Sequence, residues 1–307
     1  MEKYSEKLSH ILGATGWSQE FLAGKLGVSF VSLNSWVNQK AEPRQSAKDA
    51  IDALALEVLG SSVVDKTRLV KLKEKALTTK ARVRNLLKNR DLLDKITVSL
   101  TYHNNATEGS TMTEKDVVAV VYKHELLKNR TTIEQREAIN HQVALYFLLD
   151  LIAEAGPDFE LTPEIIKALH LRMMNGIISD AGNFRNHSVR IRGSQVPLAN
   201  FIKIPDLIRK WCNLVNSETG DPIELLARSH AEFEKIHPFS DGNGRVGRLL
   251  LFGLALSRNI APPILKKERR SAYYKYLEIA QTREETDLLE EFISVAILET
   301  AEILEDE

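Results

Sequence analysis

Between two apolar stretches the chain carries His237, Asp241, Gly242, Asn243, Gly244, Arg245 and Arg248, whose types and order suit chemistry on a polyphosphate. Pro238 cannot continue a helix, so a preceding helix must stop before it. Gly242–Asn243–Gly244 permits dihedrals open mainly to glycine, and successive backbone N–H groups can then turn inward as an anion nest. A helix starting at once behind it would aim the positive end of its dipole at the same place. Arg245 and Arg248 are three apart, so they share one helix face and can clamp phosphate oxygens. Asp241 sets a carboxylate at the mouth, suited to Mg²⁺ held jointly with phosphates. His237, with an ordinary pKa of about 6.5, is the obvious proton acceptor. A Gly-rich helix corner with a capping Asp and a core His would explain any one of these residues. It does not explain six polar or glycine positions converging on one helix start.

Helices must position these groups, because helical periodicity dominates the sequence, with Gly, Pro and Asn at its breaks. In the second part of the chain the pattern predicts helices over 113–127, 132–155, 163–177, 205–217, 222–236, 245–257 and from 267 to the C-terminus. Pro163 and Pro222 stand at first turns, where proline is tolerated. The run LLLFGLALS at 249–257 is too short to cross a membrane and reads as a buried helix. One stretch breaks the helical period: in HSVRIRGSQVPL, 187–198, Val189 and Ile191 alternate with polar residues and Gly193–Ser194 signals a turn. It reads as a short β-hairpin.

The first 60 residues read as several short helices. Ser18 can cap one bearing Phe21, Leu22 and Leu26 and ending at Gly27. Ser29 can cap a second with Val31, Leu33, Trp36 and Val37. Such a pair has the form of a helix-turn-helix, and WSQEFLAGKLGVSFVSLNSWVNQKAEP resembles the DNA-binding domains of the phage-repressor type. That likeness implies DNA contact through residues 18–38, with Ser29, Phe30, Ser32, Asn34 and Ser35 nearest the bases. The pair carries no Arg or Lys in its second helix, so a protein-docking module stays open as the alternative. The following segment, 66–90, holds ten Lys or Arg against one Glu. It reads as a solvated helix face that could also supply phosphate contacts.

Composition bounds the rest. Hydrophobic residues make up 43% and charged residues 27% of the 307, which is ordinary for a globular protein with a sizeable core. A net charge of −1 gives no global pull toward nucleic acid or membrane. The single cysteine, Cys212, excludes an internal disulfide, and no signal peptide or membrane span is recognisable, which together suggest the cytoplasm. His230 and Glu234, four apart, are better read as a packed helix face than as metal ligands. His103, His124, His141 and His170 receive no role.

HPFSDGNGRVGR, 237–248, fits the Fic family signature HPFx(D/E)GNGRxxR at every defined position. Weaker matches, NHQVAL at 140, GNFR at 182 and YY at 273–274, spread the resemblance over about 103–294. Taken together, these readings give an all-α protein: an N-terminal helix-turn-helix bundle at 1–60, a basic helical linker at 61–96 and, by the resemblance, a Fic domain at 97–307 carrying a short β-hairpin flap. The implied activity is transfer of AMP from ATP, with Mg²⁺, to a Ser, Thr or Tyr hydroxyl of a protein, this protein itself being one candidate target. In that scheme His237 is the general base and Asp241 holds the metal. Gly242, Asn243 and Gly244 cradle the phosphates with backbone and side chain, and Arg245 and Arg248 bind them. Val246 and Gly247 complete the nucleotide segment, and Phe239 anchors the loop. The 187–198 hairpin resembles the family's flap, which docks the target by strand addition, and its Arg190, Ile191, Arg192 and Gly193 are expected among the nucleotide-binding residues. Tyr273 and Tyr274 would lie by the adenine or ribose, and Gln281 stands where the family usually has Asn.

HNNATEGSTMT, 103–113, contains a segment at 103–112 that resembles the family's inhibitory segment, (S/T)xxxE(G/N). Glu108 and Gly109 match it, and Asn104 replaces the Ser or Thr. Glu108 is thereby expected to pair with Arg248 and withhold it from the γ-phosphate. Two other readings stay open at this level: transfer of another nucleotide or removal of AMP by the same loop, and a DNA-binding regulator using the site as a nucleotide sensor.

Overall fold

Side-chain caps set where the helices begin. A computed structural model of the chain describes residues 3–305 apart from Arg192, Gln195 and Glu218. The helices are α1 Tyr4–Thr15, α2 Gln19–Lys25, α3 Phe30–Val37, α4 Gln45–Leu59, α5 Lys66–Thr78, α6 Val83–Lys88 and α7 Arg90–Thr107. They continue with α8 Glu114–Val121, α9 Thr132–Ala155, α10 Pro163–Met174, α11 Ile204–Ser217, α12 Pro222–Ile236, α13 Asn243–Ser257, α14 Arg270–Arg283 and α15 Asp287–Glu305. Ser18 and Ser29 accept the N–H groups of Phe21 and Ser32, as their positions suggest. Thr131 and Glu134 form a reciprocal capping box on α9. Asp221 accepts two backbone N–H groups ahead of Pro222 at the start of α12.

Two compact units divide at Thr67/Arg68, within the first turn of α5. In the first, Leu8, Ile11, Leu22, Ala23, Leu33, Ile51 and Ala55 bury together, while Phe21, Phe30 and Val31 remain exposed. In the second, α9, α10, α12 and α13 form the centre, with α7 against α9 and with α11, α14 and α15 against α12. Every residue of α13 from Arg245 to Leu256 is buried, which accounts for a helix apolar on nearly all sides. Gly253 permits the close approach of α13 to α9, since a Cβ there would stand 2.6 Å from Leu148. Cys212 lies buried on α11, and burial pushes its thiol up to about 12.

Four expectations change. The basic 61–96 segment is not a linker: Ala76, Val83, Leu86, Leu93 and Ile96 enter the second unit's core. Lys73 is enclosed between Asp221, 2.5 Å away, and Glu290, so at least this cation is spent on its own fold. The helix expected over 113–127 stops at Val121, where the chain turns and His124 takes φ 56°. The final helix is two, because Glu284 adopts φ 60° and Thr286 begins a new one by bonding Glu290.

The hairpin expected over 187–198 is absent as a strand pair among the described residues. A turn forms, with Ser194 N–H donating to Ile191 O at 3.2 Å, but the flanking backbone bonds elsewhere. Ala199 N–H donates to Lys235 O, and Arg185 takes the carbonyls of His187 and Ala199. The one extended pairing described is an isolated bridge between Lys80 and Ile260.

Candidate active site at the start of helix 13

The turn from α12 to α13 is held by buried groups that never reach its surface. α12 is capped by His237, whose φ of 50° is uncommon for a residue with a Cβ and whose N–H donates to Phe233 O. Arg185, 3% exposed, clamps this end: Nε donates to His237 O at 2.7 Å, and its own N–H donates to Pro238 O at 2.9 Å. Asn243 closes the loop by exchanging two 2.8 Å bonds with the backbone of Phe239. Phe239 is fully buried and stacks on His170 with centroids 3.6 Å apart. Because Gly182 N–H donates to His170 Nδ1, the Nε2 carries the proton and donates to Asp241 O at 2.9 Å. Burial holds His170 down at about 4, so this tautomer persists at neutrality.

His237 is likewise pushed down by burial, to about 4, with Arg185 adding to the effect. Its Nδ1 faces the backbone oxygen of Glu234 at 3.2 Å, so Nδ1–H donates there and Nε2 keeps its lone pair. Near neutral pH this ring is an acceptor. Asp241 is exposed; its Oδ1 accepts Gly242 N–H at 2.6 Å and lies 3.5 Å from Arg245 Nη2. Gly242 takes φ 79°, opening the first turn of α13. Arg245 is buried and paired with Glu137 of α9. Among the described residues no group of three or more His, Cys, Asp or Glu could hold a metal unaided. A lone exposed carboxylate fits an ion whose other ligands are substrate phosphates.

Arg248 is 3% exposed and is gripped from α7. Its Nη2 donates to Glu108 Oε1 at 2.5 Å, and its Nε donates to Asn104 Oδ1 at 2.7 Å. Burial works against the charge of each partner, and their attraction outweighs it: Glu108 falls below its ordinary value and Arg248 rises above its own. Glu108 also lies across Gly244, where any Cβ would collide with its carboxylate. An anion therefore already covers the start of α13 and the guanidinium behind it.

Several expected residues lie apart from this surface. Asn243 is a brace, its side chain exchanging bonds with the backbone of Phe239. Val246 faces the core, and Gly247 abuts Glu234. Tyr273 is buried, bonding His230 Nε2 at 2.8 Å beneath Arg248; Tyr274 alone of the pair is partly open, at 37% exposure. Gln281 is buried and donates to Ala231 O. Arg190 and Gly193 are exposed, Ile191 is half-buried, and Arg192 lies outside the described residues. A groove of about 400 Å³ opens beside this stretch, lined by Leu198, Ala199, Leu207, Trp211, Leu214 and Ile236.

The sequence reading passed over Asn104, His141, His170, Arg185 and Glu137. Asn104 was noticed only as a departure from a pattern. In the structure its amide nitrogen lies 3.1 Å from Arg245 O and 2.8 Å from His141 Nε2. Thr101 bonds the other ring nitrogen of His141, and burial keeps that ring neutral, down at about 3. These partners come from distant segments, so spacing carries no trace of them.

Residues 160–255 match the family described as Fic/DOC, a span that contains the whole 237–248 turn but neither Glu108 nor the tyrosine pair. Among curated proteins, protein adenylyltransferase Fic of Drosophila melanogaster is 28% identical over 181 residues, 58% of this chain and 36% of that protein. The Drosophila virilis protein of the same name is 29% identical, covering 58% and 37%. The chain thus spans little more than a third of the relatives it matches. Among solved structures, a Fic domain containing signaling protein from Bacteroides thetaiotaomicron superposes with TM-score 0.62 at 21% identity, over 77% of this chain and 94% of that one. Fic-1 (residues 134–508) from C. elegans gives 0.64 at 21% identity, over 93% and 83%. The helical fold is similar to that of these solved Fic proteins, and residues 160–255 match the Fic/DOC family.

Proposed function

We propose that this chain transfers the AMP part of ATP to a hydroxyl of a protein, and that Glu108 holds the reaction back at rest. The observation that carries the reading is the meeting, at the start of α13, of a neutral His237, an exposed Asp241 and two buried arginines. The names of the relatives support the choice of AMP transfer.

In this scheme the target oxygen attacks the α-phosphorus as its proton passes to His237 Nε2. The bond from that phosphorus to the bridging oxygen of the β-phosphate breaks, and pyrophosphate leaves. Arg245 and the backbone of Gly242–Gly244 hold phosphate oxygens. Mg²⁺, when bound, would neutralise phosphate charge, with Asp241 as its protein ligand. Arg248 is reserved for the terminal phosphate and becomes available only when Glu108 withdraws. The target would lie along 188–198, whose described backbone leaves groups open for strand addition. The exposed α2–α3 face of the first unit would serve as its docking element for DNA.

Incubation with α- or γ-labelled ATP and Mg²⁺ tests the chemistry. Protein label from the α position only is expected, rising roughly tenfold or more in Glu108→Gly as a charge-assisted bond is lost. Label from the γ position alone would replace the reading with kinase chemistry, and none in either protein would favour a nucleotide sensor. For the first unit, a DNA mobility shift that weakens with salt is expected.

A further inference from the structure

Glu234, one turn before the end of α12, has no part in the scheme above and is unusual for a glutamate. It is 5% exposed, and its Oε1 has no hydrogen-bond partner among the described residues. Its Oε2 lies 4.0 Å from His237 Nδ1, the nitrogen whose proton Glu234's own backbone oxygen accepts. On the other side Oε1 occupies the space that a Cβ at Gly247 would need, so α13 admits this carboxyl only because that position is glycine. Most buried polar atoms are paired, and an orphan of this kind beside a base calls for a physical account.

We propose that Glu234 is a positioning residue for the reaction: its carboxyl, enclosed beneath the turn, sets how tightly His237 holds the proton taken from the target hydroxyl. The proposal rests on the AMP-transfer reading and adds a second group to the base.

The groups facing this carboxyl are His230 and His237 from its own helix, Arg248 from α13, Glu108 from the end of α7, and Tyr273 and Tyr274 from α14. Burial pushes Glu234 up to about 8; Arg248 opposes this and Glu108 reinforces it. With His237 pushed down to about 4, both partners are uncharged at neutrality, and the 4.0 Å contact is not an ion pair. Once Glu234 loses its proton, a negative charge faces the imidazole across a dry gap. An opposite charge at that range favours the imidazolium, so His237 becomes the stronger base as pH rises. Until a terminal phosphate takes its place, withdrawal of Glu108 removes a like charge from the same carboxyl and lets it ionise at lower pH. Release of the brake and strengthening of the base are thereby coupled.

The test is an NMR titration of the His237 imidazole in the full chain, without nucleotide. In the wild type, a second step near pH 8 is expected besides the ring's own protonation in acid. That step is expected to be absent in Glu234→Gln, which keeps the shape and cannot ionise. A wild type without the alkaline step overturns the proposal whether or not the variant folds, and so does a step that persists in the variant. In a Glu108→Gly background at saturating ATP, kcat is expected to rise several-fold across the same range and to stay flat once Glu234→Gln is added. An effect confined to KM would overturn the positioning role. No transfer at any pH while the alkaline step is present would overturn the reaction proposed above and leave the coupling standing.

Discussion

The turn at 237–243 and the stretch at 187–199 both bond Arg185, and they are secured in opposite ways. Backbone oxygens of His237, Pro238, Phe239 and Asp241 are taken by Arg185, Asn243 and His170, all buried. The other stretch is held mainly at its ends, through His187 and Ala199, with Arg190 and Gly193 left in solvent between them. Arg185 is common to both. Under the proposed reaction, the groups that would meet a phosphorus and a proton are fixed from beneath, while the stretch that would meet a variable partner carries only local bonds between its ends among the described residues. Enzymes of many folds divide labour this way, with a rigid first layer and an adaptable rim.

Substitutions can break this contrast. The largest effect is expected at the fixed end: His237→Ala should lower α-label transfer by roughly 10²–10⁴-fold with helix content unchanged by circular dichroism. Equal activity would remove the ring from the chemistry. Arg185→Met should release both regions at once, leaving several buried carbonyls unpaired and lowering unfolding free energy by about 3 kcal/mol in urea. A loss limited to substrate KM would mean that Arg185 serves only the outer stretch.

Acid should weaken the fixed region first. His170 and His237 have native values near 4, below the ordinary 6.5 expected when unfolded. As pH falls between those limits the unfolded chain binds protons that the native chain refuses, so stability present above about 6.5 is progressively lost. His170→Gln should make that decline shallower by up to about 1.4 kcal/mol per pH unit. An unchanged slope in urea titrations would show that this ring already accepts a proton in the native turn. The smallest effect belongs to the outer stretch. Gly193 has φ 80° with open space around its Cβ position, so Gly193→Ala should cost about 1 kcal/mol and leave kcat unaltered. A drop in kcat would mean that the outer stretch takes part in the chemistry.

Much of the architecture was legible because capping and periodicity are local. Ser18, Ser29 and Pro222 announce their helices from the sequence alone, and 132–155 is bounded as its pattern suggests. The α13 turn was legible because its glycines, histidine and arginines lie within twelve residues. The failures have one physical source. Whether Val189 and Ile191 join a strand depends on a partner strand, and here Arg185 and Lys235 take the neighbouring backbone groups. The basic run at 66–90 looked solvated because charge count hides the apolar face formed by Leu69, Ala76, Val83 and Leu86. The roles of Asn104, His141 and Arg185 are contacts across the fold, and no spacing rule reaches them.

The seclusion of Cys212 has a practical consequence. A thiol this deeply enclosed, with its acidity suppressed, is a poor nucleophile toward alkylating or spin-labelling reagents. The native chain is therefore close to a cysteine-free background. A cysteine introduced at the exposed Arg190 would be the reactive one, and a probe attached there would report on the 187–199 stretch by itself.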